Sequence, residues 1–199
     1  VLVATAVAAE RAACEQTVAD VHAVGVGPAA AAAGTAALLA RGSYDVVICA
    51  GIGGGLGGVG VGQVVVADRI VFAGLGAETP DGFRPLSELG LGDECYPVEA
   101  DLTRELVNRT GGVLGTVLTV TTVTGSDDTL ATLQRRHPGA RAEAMEGAGV
   151  AAAATRFGIR YAELRSISNV VGPRDRASWQ IGAALSNLGR AVAAIGDLS

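Results

Sequence analysis

The sequence predicts an α/β fold in a single domain over residues 1–199, with a central mixed β-sheet and helices on both faces. Two observations carry this. Short apolar runs rich in Val, Ile and Leu alternate with Ala-rich stretches long enough to be helices, the pattern of strands covered by helices. Several such runs also follow one another without a helix between, which favours a mixed sheet. A third observation locates function. Between Ala142 and Trp179 an apolar strand ends in Arg165, Ser166, Ser168 and Asn169, close to a helix headed by Met145-Glu146. Polar groups at the end of a buried strand, beside a helix start, are where open α/β sheets hold ligands.

The elements follow in order. Val1 to Val7 is an apolar run and the first buried strand. Glu10 lies just past it, where a carboxylate serves either the helix dipole or catalysis. Asp20 to Val26 is a second strand. Gly27-Pro28 is a turn, and Pro28 suits the first turn of a small-residue helix over Ala29 to Arg41. Asp45 to Ala50 is a strand, and Gly51 to Gly58 is expected to be a Gly-rich loop. That loop lacks the Lys of a Walker motif and the strand-acid pattern of a dinucleotide fingerprint. Its glycines, Gly53 among them, either let the backbone approach a ligand or form a tight turn.

Gly62 to Phe72 is a strand, and Ala73 to Glu94 a polar surface excursion. Leu102 to Thr110 is a helix. Val113 to Val123 is β-branched and reads as a strand. Asp127 or Asp128 is expected to cap a helix over Thr129 to His137. Arg141 to Ala144 is a short strand, Gly147 to Phe157 an alanine helix, Ile159 to Ile167 the last strand, and Trp179 to Ile195 the terminal helix.

Bulk properties exclude several classes. Hydrophobic residues make up 49% of the chain and charged residues 18%, which argues against disorder. The net charge is -5, and all 15 basic residues are Arg. An acidic chain is a poor nucleic-acid ligand, since phosphates need a basic face. No apolar run approaches the roughly 20 residues of a spanning helix, so no membrane partner is expected. The opening VLVATAVAA lacks a basic leader and is followed by Glu10-Arg11, so a core strand is the better reading than a signal segment. Cys14, Cys49 and Cys95 are odd in number and without metal spacing. Cys49 reads as a small buried residue, and the chain as a reduced, cytoplasmic protein. His22 and His137 are isolated, so neither a metal nor another cofactor is expected.

The residues at the strand ends each have a plain structural reading. Glu146 suits the first turn of a helix. Arg165 can pair with a surface carboxylate. Ser166 and Ser168 can satisfy nearby backbone. Asn169 can form an Asx turn before Gly172-Pro173, and Trp179 can pack at a helix start.

Taken together, four segments resemble the nucleoside phosphorylase/nucleosidase family: the strand leading to Glu10; VGVGPAAAAAGTAALL before DVVICAGIGGGL; Met145-Glu146-Gly147-Ala148; and LRSISN, with Arg165 19 residues after Glu146. The methylthioadenosine/S-adenosylhomocysteine nucleosidase branch is similar in nearly the whole chain, least so after Phe72. Where its adenine-specific members place Asp, this chain has Asn169. With GPRDRASW following, this resembles the futalosine hydrolase branch, which releases hypoxanthine from futalosine in an alternative menaquinone pathway.

The resemblance implies roles. Glu146 would hold the ribose hydroxyls over a floor made by Met145. Glu10 would be the general base for the attacking water, and Arg165 would help to orient that water. Val123 and Thr124 would line the base pocket, Ser168 and Gly53 would contact substrate, and Trp179 would cover the 5′ side. Futalosine carries a 5′ aryl carboxylate, for which Arg174 and Arg176 are the candidates. Asn169 would accept from N7–H of departing hypoxanthine and donate to O6, where an ionised Asp would face O6 acceptor to acceptor. Asn cannot supply the N7 proton, which must come from solvent or elsewhere, with Asp175 a candidate source. Ile52 stands where phosphorolytic relatives often have Ser, and from Val24 to Gly62 the only Arg is Arg41, so water is favoured over phosphate. The alternatives are a nucleosidase or phosphorylase for another purine nucleoside, such as inosine or methylthioadenosine, and a non-catalytic nucleoside-binding protein. Relatives are homo-oligomers, and a homo-oligomer is expected here.

Overall fold

The computed structural model describes residues 1–15, 20–196 and 198. Ten strands and six helices alternate along those residues: β1 (Leu2–Thr5), α1 (Ala8–Cys14), β2 (Val21–Ala23), α2 (Pro28–Leu39), β3 (Val46–Gly55), β4 (Val64–Phe72), β5 (Gly76–Thr79), β6 (Gly82–Pro85), β7 (Cys95–Pro97), α3 (Ala100–Thr110), β8 (Val113–Thr119), α4 (Asp127–Arg136), β9 (Ala140–Ala144), α5 (Gly147–Phe157), β10 (Arg160–Val170) and α6 (Ile181–Ala193).

The mixed sheet expected from the sequence has the order β10-β4-β8-β9-β3-β1-β2, with β7 on β4. β10 also pairs with β3, so β10, β4, β8, β9 and β3 close into a ring, and β1 and β2 extend from it. β1, β3 and β10 run parallel, while β4 meets β10 antiparallel and β9 meets β3 antiparallel. Alternate residues of β3 serve two cores. Val46, Ile48 and Ala50 join Leu188 and Val192 of α6 and Leu102 and Leu106 of α3. Val47 and Cys49 join Ala31 and Leu39 of α2 and Val150 and Ala154 of α5. Such alternation lets a strand bury both faces. No helix of the described residues is long and apolar enough to cross a membrane.

Four expectations need correction. The stretch from Gly51 to Gly55 is not a loop but the second half of β3, paired with β10 on one side and, through Gly54 and Gly55, with β9 on the other. Glycine is a poor strand former alone, but two neighbours that saturate its backbone override that tendency. β8 stops at Thr119, and Val120 to Gly125 leave the sheet as a connection to α4. α4 is capped by Ser126, whose Oγ accepts from Thr129 N–H at 3.3 Å, not by Asp127 or Asp128, which occupy its first turn. The excursion after Phe72 contains the β5–β6 hairpin, and β7 follows it as a short edge strand that sequence reading missed.

Candidate active site

A cavity of about 230 Å³ opens at the C-terminal ends of β1, β3 and β10. Glu10, Gly53, Val123, Thr124, Met145, Glu146, Ser168, Asn169 and Trp179 all line it, and so does Ile52. Three expected residues do not. Arg165 is buried behind the acids, and Arg174 and Arg176 are exposed on the loop beyond β10. The two loop arginines stand 5.4 and 5.9 Å from the Trp179 ring, at the rim rather than in the cavity. Asp175 is also outside: its Oδ1 accepts from Ala177 N–H and caps the short 3-10 turn Arg176–Ser178. Trp179 follows that turn and precedes α6 instead of opening it.

Glu10 is the third residue of α1, so its carboxylate folds back over the helix entrance. Oε2 accepts from Ala6 N–H at 2.9 Å and Val7 N–H at 3.3 Å, and Oε1 accepts from Ile52 N–H at 2.9 Å. This ties the end of β1 to β3. An ionised carboxylate has about four acceptor positions; three are filled, and one remains on Oε1.

Glu146 immediately precedes α5 but does not cap it with its side chain. That task falls to Thr119, whose Oγ1 accepts from Ala148 N–H at 2.8 Å. The Glu146 carboxylate turns instead to Gly27 N–H, 3.2 Å from Oε1, and to Met145 N–H, 3.3 Å from Oε2. Oε2 also meets Arg165 Nη1 at 3.2 Å. By the same count, the free acceptor position is on Oε1.

Arg165 holds this acidic cluster together. Its Nε donates to Glu163 Oε1 at 2.7 Å, and its Nη2 to Cys49 Sγ at 3.1 Å. Burial opposes its charge, but Cys49 and the carboxylates of Glu163, Glu146 and Glu10 outweigh burial and raise its pKa. Cys49 is thus more than the space-filler its sequence context suggests, and burial pushes its thiol up. Close packing here depends on Gly51: a Cβ at that position would lie 2.4 Å from Arg165 Nη1 and 2.7 Å from Glu10 Oε1.

Ser168 and Asn169 both reach the cavity although they are consecutive, which a regular strand forbids. The register of β10 on β3 slips between Ile167 and Asn169, a β-bulge that makes room for the extra residue. Ser168 Oγ lies 2.9 Å from Asn169 Oδ1 and 3.2 Å from Gly53 O, and Asn169 Nδ2 donates to Val170 O at 3.2 Å. The amide keeps one acceptor and one donor position for a ligand.

The family model described as Phosphorylase superfamily matches residues 9–198. A futalosine hydrolase from Streptomyces coelicolor is 54% identical over 180 residues, which cover 87% of this chain and 76% of that protein. The chain belongs to the futalosine hydrolase family. A futalosine hydrolase from Acidothermus cellulolyticus is 50% identical over 183 residues, covering 89% of this chain and 75% of that one. In fold the chain is similar to the S-adenosylhomocysteine nucleosidase of Streptococcus pyogenes in complex with 5-methylthiotubericidin, with a TM-score of 0.85 at 17% identity over 99% of this chain and 96% of that one.

The cavity of this futalosine hydrolase family member contains one acid that sequence reading passed over. Glu143, in β9, lines it with 5% exposure. Its Oε1 accepts from Thr124 N–H at 2.8 Å and its Oε2 from Thr124 Oγ1–H at 2.5 Å. Burial pushes its carboxyl up, and the bonds from Thr124 pull it partly back. The available signal was a carboxylate between alanines in a short, mostly buried strand, two residues before the Met-Glu pair.

Proposed function

We propose that the chain hydrolyses the N-ribosidic bond of futalosine and releases hypoxanthine. The observation that carries this reading is the convergence of Glu10, Glu146 and Asn169 on one cavity, with Arg165 behind the two acids. The high identity to proteins named futalosine hydrolase supports the substrate.

The chemistry follows from the free positions on each group. The sugar sits at Glu146, whose open Oε1 position accepts from a ribose hydroxyl, with the bond strengthening as the ring becomes cationic. Glu10 takes a proton from the attacking water through its open Oε1 position. Arg165 does not touch that water; it balances the negative charge of both acids and fixes Glu146. The C1′–N9 electrons leave with the purine, which takes a proton at N7 from solvent, since Asp175 lies outside the cavity. Asn169 accepts from that N7–H and donates to O6. The base and the water act on opposite faces of C1′, as in inverting glycosidases.

Water is favoured over phosphate as the nucleophile. No basic side chain lines the cavity among the described residues, and the Ile52 N–H that could bind an anion is taken by Glu10. A phosphate dianion there would face a carboxylate without a charged donor to offset it. The protein is read as a cytoplasmic enzyme, from its cysteine usage, that needs no cofactor and, as the family resemblance implies, works as a homo-oligomer.

The test is to incubate the purified protein with futalosine, inosine and methylthioadenosine, with and without phosphate. Hypoxanthine should appear from futalosine at a rate that phosphate does not change. Strict dependence on phosphate, or release of adenine only, would overturn the reading. Glu10→Gln should lower kcat by about 10²–10⁴-fold, the usual worth of a general base.

A further inference from the structure

We infer that Glu143 reads the N1–H of the 6-oxopurine, opposite Asn169 across Gly54. This rests on the reading that the cavity binds a 6-oxopurine nucleoside, and extends it to a residue with no role so far.

The sheet register supplies the geometry. Gly54 of β3 pairs with Glu143 of β9 on one side and with Asn169 of β10 on the other. The three residues form one row across the sheet, and the middle one has no side chain. Neighbouring strands lie about 4.8 Å apart, so the outer two backbones stand roughly 10 Å from each other. Both outer side chains line the same cavity. A Cβ on Gly54 would lie 2.5 Å from Val171 Cγ2 and 3.5 Å from Asn169 Nδ2, so the missing side chain makes room for Val171, which also lines the cavity, beside the amide. A flat heterocycle in that cavity, packed on Val171, presents one edge to the amide and the adjoining edge to the carboxylate.

The chemistry selects the base. Hypoxanthine presents N7, O6 and N1–H in sequence around its edge. With N7 and O6 at Asn169, the next group is N1–H, a donor. Glu143 accepts one bond on each oxygen from Thr124, which leaves one acceptor position on each. A buried carboxylate is costly until its positions are filled, and N1–H fills one. Adenine has a lone pair at N1 and would set acceptor against acceptor. Thr124, with two bonds to one carboxylate, is the positioning residue that aims it.

Competitive inhibition by hypoxanthine and 1-methylhypoxanthine, which differ at N1 alone, tests this. The wild-type protein should prefer hypoxanthine by roughly 10–100-fold, the range for a hydrogen bond to a charged group. Glu143→Gln and Glu143→Ala should shrink that ratio at least tenfold. A loss of affinity equal for both bases, with the ratio intact, would make Glu143 a structural pin for the Val120–Gly125 connection and overturn the proposal. Equal binding of both bases to the wild-type protein overturns it without any variant, so misfolded mutants do not protect it. Turnover of futalosine in either case leaves the functional reading standing. Absence of turnover and of inhibition by any 6-oxopurine overturns both.

Discussion

Arg165 Nη1 stands 3.2 Å from Glu146 Oε2, in a contact where the two side chains are 1% and 6% exposed. A pair so far from water is strong only while its geometry holds, because the desolvation of both charges must be offset by their mutual attraction and by hydrogen bonds. The second hydrogen bond is to Glu163, and the room is provided by Gly51.

Gly51→Ala therefore tests the cluster with a single methyl group. The added carbon meets Arg165 Nη1 and Glu10 Oε1, neither of which can retreat into solvent. Overpacking of this kind costs about 1–3 kcal/mol of stability. Activity should fall much further, since both acids lose their set positions. Urea denaturation and turnover on the same preparation check this: a variant with wild-type kcat would show that the cluster tolerates displacement.

Asn169→Asp should move preference from 6-oxo to 6-amino purines. The Asp oxygens would both accept, so O6 of hypoxanthine loses its donor while the amino group of adenine gains an acceptor. A mispaired buried polar group costs roughly 1–3 kcal/mol, so the ratio of kcat/KM for inosine over methylthioadenosine should drop about tenfold or more. An unchanged ratio would remove Asn169 from base selection.

Arg174 and Arg176 flank Trp179 at the cavity rim. If they meet the 5′ carboxylate of futalosine, Arg174→Ala and Arg176→Ala should raise KM for futalosine by roughly two- to fivefold, the worth of one exposed ion pair. KM for inosine, which lacks that carboxylate, should not move. Trp179 is the single tryptophan and lines the cavity, so its fluorescence should change on nucleoside binding, and titration of that signal gives Kd directly.

Stability should depend on pH through Glu143. Burial raises its carboxyl above the ordinary value of 4.5. Between that value and the higher one, the folded protein keeps a proton that the unfolded chain has released. Folding is then favoured at the low end of the window and weakens as pH rises through it. Glu143→Gln carries no titrating proton and should flatten the decline, measured as urea midpoints across the acidic range. An identical slope in the variant would contradict this assignment.

Much of the site was legible in the sequence because its residues stand where the chain changes element. Glu10 follows the first strand, Glu146 heads α5, and Ser168 and Asn169 end β10. What was hidden depended on contacts across the sheet. Gly51 to Gly55 looks like a loop until β9 and β10 are known to flank it. Arg165 looks like a strand-end cation; its burial follows from Glu163 two residues earlier on the same face and from Cys49 on the neighbouring strand. Those two spacings were in the sequence, but the parallel pairing that unites them was not. β7 was missed because three residues ending in proline give no period to read.

The ring of strands closes only when β10 docks between β3 and β4. Without β10, β3 and β4 each present an unsealed edge, and the cavity lacks the Asn169 amide. The strand that seals the barrel also delivers Arg165, Ser168 and Asn169, so closing the sheet and completing the cavity with the cluster behind it are one event.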